Sequence, residues 1–241
     1  EDLTKSTIHG VKWSGISLLS NQVFQFVITA ILARLLFPKD FGLVGMAAIF
    51  SGLVGTVNDL GLSSAIIQRK ELDNSHLSTS FWASLVMGII IFGIAFVVAP
   101  FAANFFEKEI VAPIIIVSSI GFIIGPFGVV HRSLLSKELK FKKIAIIEIS
   151  ATIISGITAI SMAFLGFGVW SLVFNGLVAN VIKVILLWIL SQWRPKIQFS
   201  KERFKELFSF GANVAGTRII NYSTANVDYM IVGKILGASS L

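Results

Sequence analysis

Two cations stand where a stretch this apolar should not tolerate them. Arg218 falls inside FGANVAGTRIINYSTANV and Lys183 inside VFNGLVANVIKVILLWIL. A charge near the centre of a bilayer is expensive and normally faces protein or a water-filled cavity. A guanidinium can grip two phosphate oxygens at once and an ammonium offers a compact point charge, so both residues suit an anionic, phosphate-bearing ligand. Arg218 lies roughly 18 Å along its helix from the nearer edge, too deep for easy snorkelling. It is either a cavity residue or half of a structural ion pair. Lys183, one turn from Asn180, has the further option of snorkelling to the interface.

Neutral polar residues accompany these cations at helical spacing. Ser14, Ser17, Asn21, Gln25 and Thr29 recur every three or four residues and share one face, as do Asn213, Thr217, Asn221, Thr224 and Asp228. Such faces either line a cavity or hydrogen-bond one helix to another. Asp59 and Asp228 are candidates for coupling to H+ or Na+, the alternative being a place in the outer interface. Glu148, one turn past the basic run ending at Lys143, reads as a local salt-bridge partner, and Arg132 reads as a topology determinant. Pieces of an enzyme site are not apparent. His9, His76 and His131 are far apart and belong to no metal-binding signature, no phosphate-binding glycine loop with Lys-Ser/Thr occurs, and cysteine is absent. The expectation is a non-enzymatic protein without a cofactor.

The elements that hold these residues must be membrane helices. Of 241 residues 55% are hydrophobic and only 14% charged, which excludes an ordinary soluble chain. The net charge of +7 comes from short basic clusters rather than a continuous basic face, so nucleic acid is not an expected partner. A span needs about 20 mostly apolar residues. Seven segments qualify: 10–36, 41–67, 77–106, 111–135, 144–165, 169–193 and 204–236. Pro100, Pro113 and Pro126 are positioned to bend the third and fourth spans. Fourteen of the 20 Lys and Arg residues fall on the side of the N-terminus and four on the other, which predicts a cytoplasmic N-terminus. The first apolar run is too long for a signal peptide, so the first helix should be retained. The tryptophans mostly approach span ends. The segment FSKERFKELF is expected to lie partly along the cytoplasmic surface as an anchor.

An internal similarity bears on completeness. ARLLFPKDFG ends the first span and GKILGASSL ends the seventh, with Gly10, Gly15 and Asn21 echoed by Gly211, Gly216 and Asn221. Six spans separate the copies, so the repeats are expected to be parallel, related by an axis along the membrane normal. The expected organisation is an all-α polytopic bundle. Residues 1–193 would form an N-terminal lobe of six helices, 194–205 a cytoplasmic linker, and 206–241 the first helix of a second lobe. A complete second lobe would need about five more spans, and a start at Glu1 rather than methionine also points to a fragment.

Several blocks together carry a resemblance. ARLLFPKDFGLVG (33–45), DLGLSSAIIQRKEL (59–72), FLGFGVWSLV (164–173), WRPKIQFS (193–200) and VDYMIVGKILGASSL (227–241) resemble the Wzx-type polysaccharide flippases. More narrowly, they are similar to the colanic and teichuronic acid exporter branch of the multidrug/oligosaccharidyl-lipid/polysaccharide (MOP) superfamily. The resemblance implies a MATE-like arrangement of two lobes around a central cationic cavity. It also implies alternating access that carries an undecaprenyl-pyrophosphate-linked oligosaccharide across a bacterial inner membrane. Membrane lipids and the polysaccharide polymerase or export machinery would be its partners. The family has no compact catalytic motif to carry over. The matching residues Arg34, Gly42, Asp59, Gly61, Gly166, Gly168, Trp170, Pro195, Asp228, Gly233 and Gly237 look mostly architectural. Competing readings are a cation-coupled drug exporter, which would favour an acidic cavity around Asp59 and Asp228, a membrane-embedded glycosyl- or acyltransferase, and a non-transporting scaffold. Lys183 and Arg218 weigh against the first, and the lack of a large polar loop weighs against the second.

Overall fold

The computed structural model describes residues 2–55, 61–69 and 71–206, and thereafter positions 208, 221, 224, 225, 231, 232, 234 and 237. Among these residues eight helices form and no strand: α1 (Asp2–Leu35), α2 (Pro38–Gly55), α3 (Leu62–Gln68), α4 (Asn74–Phe106), α5 (Val111–Ile124), α6 (Pro126–Lys137), α7 (Phe141–Phe164) and α8 (Val169–Leu190). Leu18–Leu35 of α1, α4, α7 and α8 are each long and apolar enough to cross a membrane. The bent pair of α5 and α6 supplies a fifth span. The polytopic helical bundle expected from composition is therefore the architecture.

Local chemistry sets the helix ends. Pro38 starts α2 with no backbone donor to satisfy, while the Asp40 carboxylate accepts the Phe37 N–H at 3.1 Å. Asp73 opens α4 with a capping box: its carboxylate accepts the His76 N–H at 2.8 Å, and the His76 ring sits within 3.4 Å of the Asp73 N–H. At the other end of α4, Glu107 adopts the left-handed conformation that turns the chain towards α5. Gly166 and Gly168, both at positive φ, make the tight turn between α7 and α8.

Two expected spans are divided. The second contains α2 and α3, with Gly61 at φ 72° immediately before α3. The fourth is bent by 49° between α5 and α6 at Gly125–Pro126. Pro126 has no N–H to return to the Phe122 carbonyl, and its ring crowds that turn. Helix α4 approaches this opened turn so closely that a Cβ on Gly88 would lie 2.2 Å from the Phe122 carbonyl oxygen. Pro100, by contrast, lies inside a continuous α4, and Pro113 falls in the first turn of α5, so neither breaks its helix.

Small residues set the packing. Ala151, Ser155, Ala159 and Ala163 repeat every four residues along α7, and this stripe together with Gly156 receives Ile28 and Leu32 of α1. On α4, Ala95, Ala99 and Ala102 pack with Met46 of α2 and Ile114 and Ile115 of α5. Helix α8 touches both groups, against α7 on one side and α2, α5 and α6 on the other. Large apolar side chains such as Val86, Ile90, Val97 and Phe101 point outward and are exposed, as a hydrocarbon solvent requires.

The end of the bundle that carries the start of α4 is basic and closed by carbonyl-capping cations. Lys143 donates to the Leu190 carbonyl at 2.9 Å, Arg194 to the Ser191 carbonyl at 2.7 Å, and Lys137 to the Arg69 carbonyl at the end of α3. Residues 191–200 cross this end as an extended strap. Their backbone N–H groups at Lys196 and Ser200 donate to Ser78 and Thr79 of α4, both at 3.1 Å, and Trp82 donates to the Lys196 carbonyl at 2.9 Å. Helix resumes over 201–206 after this extended stretch. Charges complete the junction: Glu206 pairs with Arg69 at 2.7 Å and Arg203 with Asp73 at 3.5 Å. Beneath the strap, His131 is fully buried between Trp188 and Trp193, with ring centroids 4.8 and 5.2 Å away.

Candidate functional site

Helices α1, α6, α7 and α8 surround a cavity of about 1060 Å³. That volume sits at the upper end of ligand sites. Its α1 wall mixes Asn21, Gln25 and Thr29 of the polar stripe with Gln22 and the apolar Leu18, Val23 and Phe26. Thr152 of α7 donates to the Asn21 side-chain oxygen at 2.9 Å, so this position serves helix contact and cavity wall together.

The opposite wall holds three charges from three consecutive helices. Glu148 of α7 accepts from Arg132 of α6 through one carboxylate oxygen and from Lys183 of α8 through the other, the latter at 2.7 Å. Glu148 is seven residues into α7 and Lys183 seven residues from the end of α8, so the triad lies about 10 Å inside the basic end. The Glu148 side chain is 16% exposed, whereas those of Arg132 and Lys183 keep 53% and 35%. With two cations against one acid, the cavity wall is net positive. Outside the membrane spans, the backbone N–H of His76 holds the Asp73 carboxyl below its ordinary range, and hydrogen bonding from Arg69 does the same for Glu206.

The triad also stands at a junction. Arg132, Ile144, Glu148 and Lys183 border a narrow space of about 120 Å³. Through Gly125, Val129 and Asn180 this space adjoins a mainly apolar cavity of about 510 Å³ between α2, α5 and α8. Asn180 donates to the Gly121 carbonyl at 3.2 Å, steadying α8 against α5 where α5 gives way to α6.

Of the residues marked by the sequence, Lys183, Asn21 and Gln25 lie around the one cavity. Asn221 is helical and exposed. Arg218, Asn213, Thr217, Asp59 and Asp228 lie outside the described residues. Sequence reasoning did not place Arg132 or Glu148 in the cavity. The available signal was an acid within an apolar run at Glu148, which its closeness to the basic segment discounted. Among the described residues no cluster of three or more His, Asp or Glu is placed to hold a metal ion.

Membrane-length helices, outward apolar side chains and a recessed charged cavity define a polytopic helical membrane protein. The chain belongs to the family described as "Polysaccharide biosynthesis protein", whose model it matches over residues 31–241. It is 31% identical to the teichuronic acid biosynthesis protein TuaB of Bacillus subtilis, over 99% of this chain and 50% of that protein. It is 29% identical to the lipopolysaccharide biosynthesis protein WzxC of Escherichia coli, over 98% of this chain and 48% of that one. The succinoglycan biosynthesis transport protein ExoT of Rhizobium meliloti is 28% identical, with coverages of 98% and 48%. The chain thus spans about half the length of the curated relatives it matches. No solved structure matches it significantly.

Proposed function

We propose that the whole protein moves a lipid-linked oligosaccharide, an undecaprenyl-pyrophosphate glycan, across the cytoplasmic membrane during assembly of a cell-surface polysaccharide. The observation that carries this reading is the recessed, net-positive cavity in a chain whose relatives are named for polysaccharide biosynthesis and transport. Arg132 and Lys183 supply cations for a pyrophosphate, and Asn21 and Gln25 supply amides for sugar hydroxyls. The basic end faces the cytoplasm in this reading, because Lys and Arg concentrate there. The Arg132–Glu148–Lys183 triad then lies nearer the cytoplasmic side. Arg218, Asn213, Thr217 and Asn221 are further candidates for contact with the cargo, and Asp59 and Asp228 are the candidates for coupling to H+ or Na+. The protein acts as a transporter, not a catalyst. Among the described residues, the only acid lining the large cavity is engaged by two cations, which counts against export of cationic drugs.

The test is transfer of a fluorescent undecaprenyl-pyrophosphate glycan between leaflets of proteoliposomes that contain the whole protein. Transfer is expected with the wild type and is expected to fall at least tenfold in Lys183→Ala and Arg218→Ala, on the scale of losing a charged contact. Export of organic cations without glycan transfer overturns the reading.

A further inference from the structure

We propose that Arg132 and Lys183 form a phosphoryl-binding site whose occupant in this state is the chain's own Glu148 carboxylate, which the incoming phosphoryl group replaces. The proposal rests on the lipid-linked pyrophosphate reading above and names the contact at which the cargo is recognised. Three observations carry it. First, the two oxygens of a single carboxylate are divided between cations from two other helices, with Lys183 at 2.7 Å from one and Arg132 on the other. A phosphoryl group presents the same bridging oxygens, with one more of them and a greater negative charge. Second, burial is uneven: Glu148 is mostly covered, while 53% of the Arg132 side chain and 35% of the Lys183 side chain remain exposed on the wall of a 1060 Å³ cavity. Here the cations stay accessible to a ligand, and Arg132 commits one nitrogen of its fork to Glu148. Third, the triad ties α6, α7 and α8 together at the entrance to the narrower space beyond. Exchange of Glu148 for a ligand oxyanion removes the ionic tie of α7 to α6 and α8, so occupancy and that tie are linked.

The exchange makes a prediction whose sign a structural role does not share. In the whole protein reconstituted in nanodiscs, Glu148→Gln removes the internal competitor and keeps the shape. It is expected to bind inorganic pyrophosphate or farnesyl diphosphate about tenfold more tightly than the wild type, and Arg132→Ala and Lys183→Ala are expected to bind about tenfold more weakly. Tightening for both ligands identifies the phosphoryl group alone as what is recognised. Tightening for farnesyl diphosphate only identifies a lipid headgroup. Unchanged or weaker binding of both overturns the proposal. Should Glu148→Gln lower stability, thermal melting decides: pyrophosphate is expected to raise the melting temperature of this variant more than that of the wild type, because the anion restores the missing partner. Equal shifts overturn the proposal. Glycan transfer is scored separately in proteoliposomes. Transfer without tightening removes this role from Glu148 and leaves the transport reading standing, whereas tightening without transfer does the reverse.

Discussion

Lys183, Asn21 and Gln25 were legible because a polar side chain in an apolar run has few innocent explanations. Arg132 and Glu148 were not, since charge near the end of a span is ordinary and helps to set topology. Their meeting depends on how α6, α7 and α8 pack, which residue spacing does not specify. His131 shows the same limit. In sequence it is a histidine beside an arginine near a span end, yet the fold buries it completely among aromatic rings. Neither ring nitrogen has a hydrogen-bond partner among the described residues. A buried polar group without a partner costs about 1–3 kcal/mol, and an apolar replacement of similar shape removes that cost. His131→Phe is therefore expected to raise the melting temperature in detergent, and His131→Ala to lower it by opening a cavity beneath the strap. A lower melting temperature in the phenylalanine variant means that the imidazole makes a bond the packing does not reveal.

Helices and their interruptions obey backbone chemistry that is partly readable in advance. Three prolines were positioned to bend spans three and four, and only Pro126 divides its span. Pro113 occupies a first turn, where a missing N–H is harmless, and Pro100 is accommodated within α4. What could not be read was the answering feature on another helix, Gly88, whose lack of a side chain lets α4 approach the carbonyl that Pro126 leaves without its helical donor. Gly88→Ala should destabilise the bundle by roughly 1–3 kcal/mol, the usual cost of an overpacked contact. Gly45→Ala, where an added Cβ meets nothing within 4 Å, should be neutral or stabilising. Unfolding in a denaturing detergent series measures both.

The strap makes a different kind of prediction. The Asp73 and Glu206 carboxyls have their pKa values lowered in the folded protein, so their contribution is present above the unfolded values near 4 and disappears as pH falls through the lower folded values. Thermal stability is expected to decline as pH drops below about 4, and Asp73→Asn should flatten that decline. A slope unchanged in the variant assigns the acid sensitivity elsewhere.

Over the whole molecule, composition made the membrane bundle legible, whereas the lobe boundary rests on a repeat whose second copy falls largely on undescribed residues. The C-terminal part of the chain meets both ends of α4: Arg203 and Glu206 at its start, and Lys234 at Glu107 beyond its far end, 2.9 Å apart. The stretch contains no cysteine, so in a whole protein cleared of any cysteine elsewhere, single thiols introduced here report sidedness. In intact cells, Lys201→Cys is expected to resist a membrane-impermeant maleimide and Glu107→Cys to react with it; the opposite pattern inverts the assigned orientation.

The bond between Asn21 and Thr152 has a consequence in time. Its partners are separated by 131 residues, and synthesis adds roughly 5–20 residues per second, so on the order of ten seconds pass between them. Helix α1 thus waits for α7 before this bond can form. During that interval its amides must be sheltered by the insertion machinery or by water drawn in from the interface. Slow synthesis or early termination would leave a polar-striped helix in lipid without its mate, the kind of intermediate that membrane quality control is placed to remove.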